Sequence, residues 1–308
     1  MIPSVLSGQV RRGIEEFLLT TFPVTTPLFQ QSLPELLRRE GSAFRGPYLS
    51  LKLPFRTGEK GVRYFPEVLP EGFRPHRHQE RAFERLAGPD RLSTILATGT
   101  GSGKTECFLY PILDHCAREA GRPGVKAVVV YPMNALATDQ AKRFARAIEA
   151  SPALKGKVTA GLYVGGIGLE TRKTMGPDDV ITDRETMRAS PPDILLTNYK
   201  MLDYLLIRPE DARLWQGNGP ETLRFLVVDE LHTFDGAQGA DLACLIRRLK
   251  ARLRTPERHL CGIGTSATLG EGPEGMNAEA LSGYASQLFG EPFAADSIVG
   301  ETVETTEE

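Results

Sequence analysis

From about residue 71 onward, short apolar runs alternate with longer stretches in which apolar positions recur every three or four residues. The runs predict strands at Thr94–Leu96, Ala127–Tyr131, Thr159–Val164, Asp193–Leu196, Phe225–Val228 and Cys261–Gly264. Val128-Val129-Val130 and Phe225-Leu226-Val227-Val228 are continuously apolar, as suits strands of a parallel sheet buried on both faces. Between the runs, Glu106–Cys116 is helix-compatible despite Pro111. Ala137–Ala150 aligns Ala141, Phe144, Ala145 and Ile148 on one helical face, and Ala240–Leu253 aligns Leu242, Leu245, Ile246, Leu249 and Leu253. Strand alternating with helix predicts an α/β domain with a mostly parallel central sheet flanked by helices.

The flanks are less regular. Val10–Leu19 has the pattern of an amphipathic helix with Val10, Ile14, Phe17 and Leu18 on one face, and Tyr48–Leu53 alternates as a strand does. Prolines at 23, 27, 34, 47, 54, 66 and 70 forbid a long helix there. Residues 170–192 interrupt the rhythm with a charge-rich insertion, read as a surface excursion. The tail offers one short helix, Ala278–Leu288, before an acidic end without a core-forming pattern. The division expected is an accessory region over residues 1–70, the α/β domain over 71–270 and a C-terminal segment over 271–308.

Composition excludes more than it suggests. The 308 residues are 41% hydrophobic and 25% charged, ordinary for a chain with a real core. No apolar run approaches the roughly 20 residues a membrane-spanning helix needs, and the N-terminus lacks the layout of a secretory signal. The four cysteines, Cys107, Cys116, Cys244 and Cys261, form no C-x-x-C pair, which points to a reducing cytoplasm rather than a disulfide framework or a zinc site. His76 and His78 have no carboxylate or cysteine at ligand spacing and read as surface residues. A net charge of −2 gives the molecule as a whole no attraction for nucleic acid, so any such surface must be local. Arg247, Arg248, Lys250, Arg252 and Arg254 read as the solvated face of a helix.

Candidate chemistry gathers after three predicted strands. Thr98-Gly99-Thr100-Gly101-Ser102-Gly103-Lys104-Thr105 follows the first and opens a helix, an arrangement that aims backbone N–H groups and a helix N-terminus at a polyphosphate. Thr98 stands where the strict G-x-x-x-x-G-K-[ST] pattern has glycine. Lys104 is placed to reach β- and γ-phosphates, and the Thr105 hydroxyl to help hold Mg²⁺. Asp229-Glu230-Leu231-His232 follows Phe225–Val228. It brings two carboxylates to the strand's carboxyl end, Asp229 to hold Mg²⁺ through water and Glu230 to polarise an attacking water. Gly264-Thr265-Ser266-Ala267-Thr268 offers small hydroxyl groups after another strand, within reach of His232 and the acidic pair.

T-G-T-G-S-G-K-T, D-E-L-H and S-A-T, in this order, resemble motifs I, II and III of the DEAD/DEAH-box helicases of superfamily 2. Phe73 and Gln79 resemble the adenine-reading Q motif, Tyr131–Leu136 motif Ia, Gly165-Gly166 the family's paired glycines, and Thr197-Asn198 motif Ib. The resemblance covers about residues 72–270. More finely, DELHTFDGAQGADLACLIRRLK and PPDILLTNYKMLDYLL are similar to large bacterial Lhr-related helicases with a C-terminal cysteine-rich domain.

The resemblance implies a RecA-like P-loop NTPase fold and an ATP-dependent helicase or translocase. Gln79 and Phe73 would receive the adenine, and Lys104, Thr105, Asp229, Glu230 and His232 would handle Mg·ATP. Ser266, Ala267 and Thr268 would couple nucleotide state to strand binding. Pro132, Asn134, Gly165, Gly166, Thr197 and Asn198 would line the path of a single strand, DNA rather than RNA, contacting phosphates without reading sequence. Nothing after Thr268 resembles the second RecA-like domain of such motors. The expectation is therefore an incomplete site, completed in cis or in trans, with weak ATP binding, little turnover and no unwinding by this chain alone. Two other readings remain: a nucleotide-gated binding module that never hydrolyses ATP, and a P-loop kinase or transporter ATPase. The second leaves Gln79, Thr197-Asn198 and Ser266-Ala267-Thr268 unexplained.

Overall fold

The computed structural model describes residues 3–39, 41, 44, 53–59, 63–99, 101–165, 170–267 and 278–304. Thr100, Gly166, Thr268 and most of the strand expected at Tyr48–Leu53 lie outside the described residues. The chain forms two compact units, Met1–Leu53 and Pro54–Glu308. In the first, helices α1 (Pro3–Thr21) and α2 (Ser32–Arg38) flank a 3-10 turn at Pro27–Phe29. The expected helix is present, and Val10, Ile14 and Phe17 on its apolar face keep between 41% and 61% of their surface exposed.

The second unit is built on a seven-stranded sheet. Its strands are β1 (Thr94–Ala97), β2 (Ala127–Tyr131), β3 (Ala160–Tyr163), β4 (Ile194–Asn198), β5 (Phe225–Val228), β6 (Cys261–Ser266) and β7 (Ile298–Gly300). The order is β3-β4-β2-β5-β6-β1-β7, and each pairing between these strands is parallel. Helices α3 (Arg77–Leu86), α4 (Lys104–Arg118) and α5 (Asn134–Ala150) supply one buried layer. A second layer comes from α7 (Tyr199–Ile207), α8 (Gly236–Leu253) and α9 (Ala278–Phe289), with the short α6 (Arg184–Ala189) beside them. The continuous apolar runs have their cause here. Ala127, Val129 and Tyr131 face the first layer and Val128 and Val130 the second; Phe225 and Val227 alternate with Leu226 and Val228 in the same way.

The boundaries anticipated at 70/71 and 270/271 do not coincide with these units. Phe65, Val68 and Leu69 are buried in the first layer, Leu281, Leu288 and Phe289 in the second, and β7 extends the sheet beside β1 with Val299 buried. The helix expected at Ala278–Leu288 is present as α9, whereas residues 65–69 and β7 are too short to show a period. The insertion over 170–192 is likewise more than a surface excursion. Ile181 bridges Gly161 in parallel, Met187 of α6 is fully buried, and Arg188 hydrogen-bonds Asp211. Arg247, Arg248, Arg252 and Arg254 are exposed, as a solvated face requires, and some of these cations also hold neighbouring elements. Arg247 and Lys250 donate to the Gln287 and Gly290 carbonyls at the C-terminus of α9, and Arg248 pairs with Asp203. Among the described residues no helix is long and apolar enough to cross a membrane.

One buried ion pair ties three strand starts together. Lys126, 1% exposed, donates to Asp193, whose other carboxylate oxygen accepts from the N–H (2.7 Å) and hydroxyl (3.0 Å) of Thr159. Asp193→Ala would leave a buried ammonium unpaired, which costs about 3–5 kcal/mol. Against a typical total of about 5–15 kcal/mol this is a large fraction. Thermal or urea unfolding is expected to show it; an unchanged midpoint would refute it.

Candidate nucleotide site

The parallel sheet carries every strand's carboxyl end to one edge, and the strand order sorts the candidate residues along it. β1, β6 and β5 are adjacent, so Thr98–Thr105, Thr265–Ala267 and Asp229–His232 emerge side by side. The Lys104 Nζ lies 3.7 Å from the Glu230 carboxylate. Glu230 also approaches the His232 Nδ1, at 3.4 Å, and the Ser266 hydroxyl lies 3.4 Å from that same nitrogen. The three sequence blocks therefore converge.

The base of the loop is stapled by its own departure from the glycine pattern. The Thr98 N–H donates to the Ser266 carbonyl, extending the β1–β6 ladder by one step. Its hydroxyl meets the Ser102 hydroxyl at 2.7 Å, with both residues 1% exposed. Glycine there would lose this bond. Gly101 and Gly103 have φ of 81° and 77°, the left-handed region that side chains disfavour. Helix α4 begins at Lys104, so the unpaired N–H groups of its first turn face the end of the loop. The Thr105 hydroxyl donates to Gln140 of α5 at 3.1 Å.

Thr265, one of the hydroxyl residues expected within reach of the acidic pair, holds that pair in place. Register opposes Val228 to Gly264, so the next residues, Asp229 and Thr265, also meet. The Thr265 hydroxyl donates to Asp229 and accepts from the Glu230 N–H at 3.0 Å. Glu230 adopts φ of 51°, a left-handed conformation that costs a non-glycine residue about 1 kcal/mol or more. Strain of this kind persists where surrounding bonds impose it, and Thr265 supplies one. Thr265 and Ser266 belong to β6 itself rather than to the turn after it. Burial pushes the Asp229 carboxyl above its ordinary range; the Thr265 bond opposes this, the Glu230 charge adds to it, and Lys104 opposes it. A carboxylate in that environment, near a threonine hydroxyl, offers the hard oxygen donors that suit a divalent cation.

Gln79 and Phe73 are less open than an adenine site suggests. The Gln79 amide accepts from the His76 N–H at 2.8 Å and donates to the Gly103 carbonyl at 3.1 Å, with the residue 3% exposed. Phe73 packs edge-on against Tyr110 of α4, centroids 5.3 Å apart. His78, expected at the surface, is fully buried: α3 turns it inward against the loop. Its Nε2 lies 2.8 Å from the Ser102 carbonyl.

The other end of the sheet edge, over β2, β4 and β3, joins a second set. Asn134 donates to the Gly165 carbonyl, and Asn198 donates to the Asn134 side chain while accepting from the Met201 N–H at 2.7 Å to cap α7. Thr197 does not present its side chain there. It is fully buried and donates to the Tyr163 carbonyl at 2.7 Å. Pro132 stands half-exposed at the start of this edge, and Ala267 half-exposed after Ser266.

Comparison with known proteins gives this geometry a context. The profile of the DEAD/DEAH box helicase family matches residues 76–275. The Druantia protein DruE of Escherichia coli (strain UMEA 4076-1) is 31% identical over 68% of this chain and 17% of its own length. An uncharacterized ATP-dependent helicase of Methanocaldococcus jannaschii, MJ1574, is 29% identical over 70% of this chain and 28% of its own. Among solved structures, the DUF1998 helicase MrfA bound to DNA superposes with a TM-score of 0.57 at 25% identity, covering 80% of this chain and 29% of that one. The chain thus spans less than a third of the length of these relatives.

Proposed function

The chain belongs to the DEAD/DEAH box helicase family and carries its RecA-like fold, and from that premise we propose that it is the first motor domain of an ATP-dependent helicase acting on nucleic acid, DNA in preference to RNA. The observation that carries the reading is the meeting of Lys104 with Glu230 at 3.7 Å, which joins the phosphate loop to the acidic pair across β6.

Lys104, Thr105 and Asp229 are the residues to hold Mg·ATP: the ammonium on the β- and γ-phosphates, the hydroxyl and carboxylate toward the metal. Bound Mg²⁺ would supply charge neutralisation on the phosphates. The Lys104 ammonium lies 3.7 Å from the Glu230 carboxylate; with that ammonium on the phosphates, Glu230 would accept a proton from the attacking water. His232, between Glu230 and Ser266, links the acidic pair to the end of β6, from which Ala267 and Thr268 continue. Gln79, bonded to the Gly103 carbonyl, and Phe73, packed on Tyr110 of α4, are assigned to the adenine.

Pro132, Asn134, Gly165 and Asn198 are assigned to the strand-contacting edge, with Thr197 acting through the backbone it secures; Gly166, outside the described residues, keeps its assignment to the strand path from the sequence alone. Backbone and amide contacts of this type position phosphates without requiring a basic surface, which fits a net charge of −2. DNA is favoured by the likeness to MrfA. A second RecA-like domain, in cis or in trans, is assigned the remaining face of the ATP site, in keeping with the small share of the relatives' length spanned here. The four free cysteines, three of them buried, suit a reducing cytoplasm.

The test is ATP hydrolysis by the full-length protein with and without single-stranded DNA or RNA. Stimulation by DNA above that by RNA is expected. Stimulation by neither overturns the motor reading; stimulation by RNA alone overturns only the choice of DNA.

A further inference from the structure

The carbonyls on the outer side of the phosphate loop are held by two neighbouring side chains of α3. Gln79 donates to the Gly103 carbonyl, and His78 lies 2.8 Å from the Ser102 carbonyl through Nε2. A carbonyl can only accept, so Nε2 carries the hydrogen, and Nδ1 is left as a buried acceptor with no partner among the described residues. Burial keeps the ring below its ordinary pKa and hence neutral.

A trans peptide points its C=O and the following N–H in opposite directions. With the Ser102 carbonyl turned toward α3, the Gly103 N–H turns away from it. With the Gly103 carbonyl turned the same way, the Lys104 N–H follows. These are the donors at the mouth of α4, where an anion sits. Gly103 has no room for a side chain on the α3 side, since a Cβ would come within 2.4 Å of the Gln79 amide. The His78 ring is itself fixed. The Phe55 ring stands edge-on to it at 5.4 Å, and the His76 ring stacks at 5.5 Å. Residues 55–58 are secured in turn, Thr57 bridging His76, the Gly58 N–H bonded to the Pro75 carbonyl, and the Arg56 carbonyl accepting from the Arg77 N–H. A ring clamped on two sides loses little further entropy when it holds a carbonyl.

We propose that His78 is a positioning residue of the nucleotide site: its Nε2–H holds the Ser102 carbonyl outward and so aims the Gly103 N–H at the phosphates of a bound nucleoside di- or triphosphate. This rests on the loop being the ATP site. His78 never touches the phosphates; it acts through the peptide plane.

The experiment is titration of the full-length protein with Mg·ADP and, separately, with inorganic tripolyphosphate. It compares wild type with His78→Leu, His78→Gln and His78→Asn, each checked by thermal melting. Glutamine carries an amide nitrogen at the same bond count from Cβ as Nε2; asparagine is one bond short. Leucine and asparagine are expected to weaken both ligands about tenfold, the scale of one lost hydrogen bond in this setting, while glutamine stays within about twofold of wild type. Should the leucine variant fail to fold, the contrast between glutamine and asparagine still decides. Equal affinities across the variants overturn the inference, as does weakening of ADP without weakening of tripolyphosphate, which would move the role of His78 to the base. A wild-type full-length protein that binds neither ligand overturns the nucleotide site itself.

Discussion

Lys104→Ala is expected to lower ATP turnover by the full-length protein about 10²–10³-fold, the usual loss when a charge-stabilising donor is removed from a transition state. Lys104 is the residue of the loop that can follow negative charge as it develops on the γ-phosphate, because its ammonium sits on a flexible stem at the start of α4. The fold should hardly notice the change. Lys104 and Glu230 side chains are 14% and 28% exposed and 3.7 Å apart, and part-exposed pairs of this kind contribute no more than about 1 kcal/mol. Phosphate release under saturating ATP, together with a melting curve, separates the two effects. Unchanged turnover in a folded variant would remove Lys104 from the mechanism, and with it the motor reading.

Glu230→Gln is expected to split binding from chemistry. The amide keeps the size of the side chain and leaves the Glu230 N–H bond to Thr265 intact. ADP affinity should therefore stay within a few-fold of wild type. Turnover should fall about 10²–10⁴-fold, the span attributed to a positioned proton acceptor. Nucleotide titration and single-turnover hydrolysis on the same preparation test this. Hydrolysis at the wild-type rate would assign the proton elsewhere.

Much of this site was legible beforehand, for a reason that lies in parallel sheets. Each strand of such a sheet delivers the residues that follow it to one edge, so a functional block placed after an apolar run is already located. Lys104, Asp229, Glu230 and His232 could be gathered on that ground, and Ser266 lies beside them in the structure. What could not be read was who holds them. Gln140 reaches Thr105 from α5 and His78 reaches Ser102 from α3, while the β5–β6 register decides which of the hydroxyls after the strand, Thr265, bonds Asp229. No spacing within one segment encodes a contact between segments.

The same distinction applies to the flanks. Residues 54–70 and the segment around β7 are too short to show a period, and their burial depends on the surface they meet. Thr197 shows the limit in one residue: its motif marks the right edge of the sheet, and the turn of the strand decides that its side chain faces inward. By itself the sequence determined the layered α/β architecture and the edge of it that carries the glycine-rich loop, because apolar periodicity and backbone-permissive glycines are local properties. Tertiary structure alone decided the sheet order, the tautomer and burial of His78 and the pairing of Lys104 with Glu230, because each depends on which strands and helices become neighbours.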